Sequence, residues 1–220
     1  MFKDLTNFSY QLALFTESGK IMADELSVAC RNKMNIGAYT PALIPEMPGM
    51  PDEIPRLQIQ TDRGFQVGMS NIRIDFVIDL PFGLDSKDRE GFIENARRLL
   101  ELLDERGFVY SRVGFVKKYL KVMPDAGKFL SGLFGGVGGS SLTDFSVNAS
   151  QRIEVAGKQC NNIFNVGSGV IRGGEVGVVA LRDVNIVPGQ GSIVKDDVLS
   201  FMAEAESILG VESFDEFVGG

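Results

Sequence analysis

From Asn7 to Thr16, Phe8, Tyr10, Leu12 and Leu14 alternate with smaller or polar neighbours, and that two-residue period predicts a strand. Residues 21–34 carry no clean period and are compatible with a short helix. Prolines at 41, 45, 48, 51 and 55 forbid both a helix interior and a central strand, so 38–55 reads as an extended loop, apolar for a loop because of Met47 and Met50. Strands follow at Arg56–Thr61, Phe65–Met69 and Ile72–Leu80, the first turned by Asp62-Arg63-Gly64 and the last two joined through a bulge near Ser70-Asn71.

The clearest helix begins at Asp85 or Ser86, with Asp88 in its first turn. Phe92, Ala96, Leu99 and Leu103 fall on one apolar stripe, and Gly107 stops it. A long strand runs from Phe108 to Val122, and Pro124 closes it. Residues 124–141 read as a glycine-rich connection. Three more strands are expected at Leu142–Val155, Gln159–Val170 and Glu175–Val187, then a helix over Val194–Leu209 with Val194, Val198, Phe201, Ala205 and Ile208 on its apolar stripe. In the acidic tail, Phe214 and Phe217 look exposed.

The two helices are entered alike. Asp75 and Asp183 lie 108 positions apart, as do Lys87 and Lys195, each pair spanning a sheet edge that ends at a proline before a helix. The expectation is one α+β domain over 1–220, of antiparallel sheets each covered by an amphipathic helix, with a strands-then-helix unit used twice over halves 1–106 and 107–220.

Composition narrows the chemistry. The chain has 220 residues, 44% apolar and 23% charged, which is ordinary globular composition. It has no histidine, which removes Ser-His-Asp and Cys-His mechanisms and His-ligated metal sites. Net charge is −7 and argues against a nucleic-acid partner. The charge is uneven: residues 107–189 hold nine Lys/Arg against five Asp/Glu, and residues 190–220 hold one Lys against seven acids. A basic middle and an acidic tail would attract each other, within a chain or between chains. Cys30 and Cys160 form no disulfide framework and suit a reducing cytosol. The N-terminus has no apolar signal core, and no stretch approaches the roughly 18 apolar residues of a membrane span. A cytoplasmic protein that uses neither membrane nor cofactor is expected.

The candidate sites are few. Ser131–Ser141 holds Phe134, Gly135, Gly136, Gly138 and Gly139. It is not a Walker loop, because no lysine precedes Ser140-Ser141, and not a dinucleotide loop, because Ser141 stands three after Gly138. It is either a plain loop or one whose N–H groups cup an anion, with Phe134 free to dock on a neighbour. The second cluster, Gly167–Gly174, reads as a hairpin turn containing Arg172. Asp75, Asp79, Asp183 and Glu175 are carboxylates on or near strands, without evidence of convergence. Arg112, Lys117, Lys118 and Lys121 make one strand basic, either as a charged edge that resists aggregation or as a receiver of an anionic ligand. Met47, Met50, Phe214 and Phe217 either fold back on the core or meet a partner.

The order of elements resembles a sporadically distributed family of bacterial proteins of unknown function. An opening strand and a proline-rich stretch carry the likeness, followed by the hairpin Arg56–Gly64, the strand start Gly107–Gly114, and Asp183-Val184-Asn185 before the closing helix. The chain departs from that family in lacking Asp-x-Asp at 183–185, in a shortened N-terminal half and in its glycine-rich 131–139. At the level of fold it is similar to a fused pair of SecB-like export-chaperone protomers, which implies binding of unfolded chains and brings no catalytic residues.

The resulting expectation is a non-catalytic protein acting through homo-oligomerisation or protein–protein contacts. The alternatives are a sequestering protein for a small anionic or nucleotide-like ligand, using the glycine loop, Arg112, Lys117 or Arg172, and a carboxylate- or metal-dependent enzyme.

Overall fold

The computed structural model describes residues 2–135, 144–171 and 174–214. The alternating stretches become strands: β1 (Thr6–Ser18), β2 (Ala42–Leu43), β3 (Leu57–Gln60), β4 (Phe65–Met69), β5 (Arg73–Asp79), β6 (Val109–Val122), β7 (Ser146–Val155), β8 (Lys158–Val170) and β9 (Val176–Ile186). They join in one antiparallel sheet of order β2-β3-β4-β5-β1-β6-β9-β8-β7. The expectation of several sheets is therefore corrected to one: β1 and β6 pair in the middle and fuse what the sequence presents as two groups of strands.

Helices α1 (Ala23–Lys33), α2 (Ser86–Asp104), α3 (Ala126–Leu133) and α4 (Lys195–Ile208) all pack on the same face of this sheet. That face carries the apolar phase of the strands: Leu12 and Leu14 of β1, Phe76 of β5, Phe115 of β6 and Val184 of β9 are all fully buried. Under α2 an aromatic stack fixes the centre, with Phe92 4.9 Å from Phe76 and 5.5 Å from Tyr10 between ring centroids. A second cluster at the other end gathers Tyr119, Phe164 and Phe214 beneath α3.

Asp85 caps α2 by accepting from the N–H groups of Lys87 (2.8 Å) and Asp88 (2.9 Å), while the Asp88 carboxylate accepts from the Asp85 N–H. The β7–β8 hairpin closes on Ala156 and Gly157, both at positive φ (50° and 71°), the two-residue turn whose twist suits antiparallel strands.

Residues 21–34 hold the short helix their sequence allows, α1. Three local readings change. The 124–141 connection contains α3, whose Ala126, Phe129, Leu130 and Leu133 keep helical spacing across Gly127 and Gly132. The bulge expected at Ser70-Asn71 is a tight hairpin turn, in which the Ser70 N–H donates to the Arg73 carbonyl (2.8 Å) and the Ser70 hydroxyl accepts from the Arg73 N–H (3.0 Å). Strand β6, read as a possible charged edge, is central, with β1 on one side and β9 on the other.

Candidate functional site: the uncovered face of the sheet

With all four helices on one face, the opposite face of the strands has no layer over it among the described residues. It presents the other phase of each strand: Gln11, Ala13 and Phe15 on β1, Arg73, Asp75 and Val77 on β5, Arg112, Gly114 and Val116 on β6, and Asp183 and Asn185 on β9. The face is concave. One cavity of about 590 Å³ is lined both by Gln60 and Gln66 of β3 and β4 and by Leu120, Val179 and Val170 of β6, β9 and β8. Strands well separated in the sheet order close on one space only if the sheet curls toward it. A cavity of about 460 Å³ shares Gln60 and Gln66 with the first, and one of about 400 Å³ shares Gly68 and Asp75 with the second. Together they form a continuous trough. Glu53 and Pro55 of the proline-rich loop wall its far end beside Phe15 and Arg73.

The middle of the open face carries small side chains. Ala13 and Gly114 face each other across β1 and β6, and a Cβ built at Gly114 would lie 3.4 Å from the Asn185 Cβ and 3.7 Å from Asp183 Oδ1. Around these positions runs a polar network. Gln11 Nε2 and Arg73 Nη2 donate to Asp75 Oδ1 (2.7 and 2.8 Å). Arg112 Nη2 and Asn161 Nδ2 donate to Asn185 Oδ1 (2.8 and 2.9 Å), and Asn185 Nδ2 donates to Asp183 Oδ2 (3.0 Å). The Arg73 and Arg112 guanidinium groups stand 5.0 and 5.1 Å from the Phe15 ring centroid, a paired cation–π contact that holds both arginines upright.

Asp183 is the exception in this network. Its Oδ1 is buried without a hydrogen-bond partner among the described residues, and burial pushes its carboxyl above the usual range against the pull of Asn185, Arg112 and Arg73. A carboxyl raised in the folded state favours folding at low pH and loses that contribution as pH rises through its folded value. Asp183→Asn is therefore expected to raise stability by about 1 kcal/mol at pH 7. Urea midpoints should show the gain shrinking toward pH 3, where the wild-type carboxyl is already neutral; an equal gain at both pH values would exclude charge as its source.

Asp75 and Asp183 face the same side but do not form an acid–base pair. Strands β1 and β6 lie between them, roughly 14 Å at ordinary strand spacing. Each is occupied by its own local partners.

The candidates from sequence are scattered. Arg112 lies on the open face of β6, against Phe15 at the border of the trough. Lys117 is on the opposite, helix-covered face, buried, where its Nζ donates to the Glu206 carbonyl (3.2 Å) and stands 4.0 Å from the Glu206 carboxylate. Basic middle and acidic C-terminal segment thus meet within the chain at this pair. Met47 is exposed in the proline-rich loop, and Met50 is half-buried against the Arg56 guanidinium. Phe134 is half-buried and stacks on Phe145 at 6.1 Å, and Gly135 follows it at φ 107°. Phe214, expected to be exposed, is fully buried against Phe2, Tyr119 and Phe164. Gly136, Gly138, Gly139, Arg172 and Phe217 lie outside the described residues.

Phe15 and Arg73 were missed. The signal for Phe15 was present, because it is a large apolar residue directly after Leu14 and so out of phase with the buried side of β1. Arg73 gave no such signal: an arginine at a strand start is unremarkable until the register places it across from Phe15. No protein-family model matches the chain, and comparison with curated proteins finds no significant relative.

Proposed function

We infer that this is a non-catalytic binding protein whose working surface is the concave open face of the sheet, and that it holds an extended segment of a partner polypeptide there. The observation that carries this reading is the one-sided placement of the helices, which leaves a continuous trough rather than a closed pocket. The open-face positions of β6 from Arg112 to Leu120 span roughly 27 Å, room for about eight extended residues. Gln58, Gln60 and Gln66 supply amides that both donate and accept, and so can pair with main-chain groups of any sequence. Val116, Leu120 and Val179 supply apolar contacts between them.

A duplicated unit underlies this surface in the same reading. The first strands of the two halves begin at Thr6 and Val109 and the helices after them at Ala23 and Ala126, an offset of 103 both times. The last strands and helices follow the 108 offset of Asp75/Asp183 and Lys87/Lys195. Applied together, the two offsets carry the pair Leu12–Phe76 onto Phe115–Val184, which is itself a pair in the sheet. Two copies of one β-α-β-β-β-α unit, the first with the two-residue β2 added, joined through β1 and β6 account for both offsets.

The small-anion reading has less support, because Arg73 and Arg112 are both engaged, by Asp75 and by Asn185. The test uses a permanently unfolded probe, reduced and carboxymethylated lactalbumin, with binding followed by fluorescence anisotropy. Gln66→Trp, which narrows two of the three cavities, is expected to weaken binding at least about tenfold, a loss of about 1.4 kcal/mol. Glu101→Lys on the exposed side of α2 is expected to leave it unchanged. No binding by the wild type, or equal binding by Gln66→Trp, overturns the reading, and a thermal shift with inorganic phosphate in its place would favour the anion.

A further inference from the structure

The two ends of the sheet are finished differently. At one end β2 is two residues long and flanked by Pro41 and Pro45, which lack N–H donors, so that edge is blunted. At the other end β7 runs for ten residues without a proline and in unbroken register with β8. Because the Ala156-Gly157 turn is a two-residue hairpin, Val155 and Lys158 form its closing hydrogen-bonded pair, and odd-numbered residues of β7 direct their main chain to β8. The N–H and C=O groups of Ser146, Asn148, Ser150, Arg152 and Glu154 therefore point outward, and none has a hydrogen-bond partner among the described residues.

The geometry points to β7 as the interface with a second copy of this chain. The occupant is argued from charge. Arg152 and Glu154 are both exposed, lie on the same face of the strand, and form no ion pair with a described residue. If two β7 strands pair antiparallel about a two-fold axis through Ile153, Arg152 of one copy stands opposite the partner's Glu154, and Glu154 opposite the partner's Arg152. The same register places Ile153 against its own copy. Residues 152 and 154, whose main-chain groups point outward, then form the hydrogen-bonded pairs, while Ile153 forms the close non-hydrogen-bonded pair. A shift that brings Arg152 opposite itself sets like charges together. The axis is normal to the sheet, so two nine-stranded sheets become one and both open faces lie on the same side. The surface proposed above is thereby doubled without being covered.

The test is a charge swap read by size-exclusion chromatography with light scattering. The wild type is expected to dimerise. Arg152→Glu alone and Glu154→Arg alone are each expected to weaken the dimer at least about tenfold, and the double swap to restore it. Ile153→Cys is expected to form a disulfide-linked dimer on mild oxidation, because non-hydrogen-bonded partners have Cα atoms about 4.5 Å apart. Cys30 and Cys160 are buried and give no competing link. A monomer at every concentration overturns the proposal, and so does a dimer indifferent to the single reversals or not recovered by the double swap. Far-UV circular dichroism of each variant separates loss of pairing from loss of fold, and none of these residues lies among those varied to test the trough.

Discussion

Arg182→Ala should cost about 3–5 kcal/mol of folding stability, because it leaves two buried acceptors unpaired at about 1–3 kcal/mol each and opens a cavity. Arg182 is fully buried on the helix-covered side of β9, between the two apolar clusters. Its Nη2 donates to Asn162 Oδ1 (2.9 Å) and to the Ile208 carbonyl (3.4 Å), its Nη1 bonds the Ser213 hydroxyl, and its guanidinium lies 5.5 Å from the Phe214 ring centroid. Two neighbours act on the same helix end: Lys117 Nζ on the Glu206 carbonyl and the Tyr119 hydroxyl on the Leu209 carbonyl (2.5 Å). The last carbonyls of a helix have no partners within it and carry its partial negative charge. Here that end of α4 is buried against the sheet, and two cations and a phenol from β6 and β9 satisfy it. Alanine strands Asn162 Oδ1 and the Ile208 carbonyl and frees Phe214 on one side. Arg182→Met, which keeps volume, should lose less. Urea denaturation measures the loss, and hydrogen exchange should place the first opening at the end of α4. A change below about 1 kcal/mol for the alanine variant would show that the network contributes little beyond its own desolvation.

What the sequence made legible follows the range of the interactions that decide it. Strand β1 and helix α2 were readable because period and caps are local: Tyr10, Leu12 and Leu14 in phase, Asp85 and Asp88 at the start of α2. Helix α3 was hidden because two glycines interrupt its stripe, and its burial against Phe164 and Val178 overrides their poor propensity. The position of β6 was out of reach, because the order of strands in a sheet is set by pairing between distant segments. The same limit concealed the trough: Phe15, Arg73 and Arg112 lie far apart in sequence and become neighbours only through the registers of β1 with β5 and β6. Arg182 left a faint trace, since it occupies the apolar phase of Val178, Ala180, Val184 and Ile186. A charged residue in that phase is either a break in the strand or a buried network, and only the packing of Arg182 under α4 shows it to be the second.

Lys117→Met should remove a contribution to stability that grows with pH in the alkaline range. Lys117 pairs in register with Arg182, so two cations sit side by side under α4. Its side chain is 8% exposed. Burial lowers its ammonium to about 8 from 10.5; Glu206 and Glu212 pull the other way, and Arg89 and Arg182 add to the depression. Tyr10 also faces it, with Nζ 5.3 Å from the ring centroid. Because the folded value lies below the unfolded one, the unfolded chain binds more protons between them. Stability from this group is therefore lowest below about pH 8 and grows by up to about 3 kcal/mol by pH 10.5. Other buried groups oppose it in the wild type. Burial raises the thiols of Cys30 and Cys160 to about 12 and about 11, and raises Tyr110 and Tyr119, so each withdraws stability as pH climbs past its unfolded value. The measurement that isolates Lys117 is the difference in unfolding free energy between wild type and Lys117→Met, followed from pH 7 to pH 10.5, in which the thiol and phenol contributions cancel. That difference should move toward the wild type by about 3 kcal/mol across the window, most of it above pH 8. A flat difference would mean that the ammonium keeps its ordinary affinity for protons, and that the Glu206 carbonyl and carboxylate fully offset its removal from water.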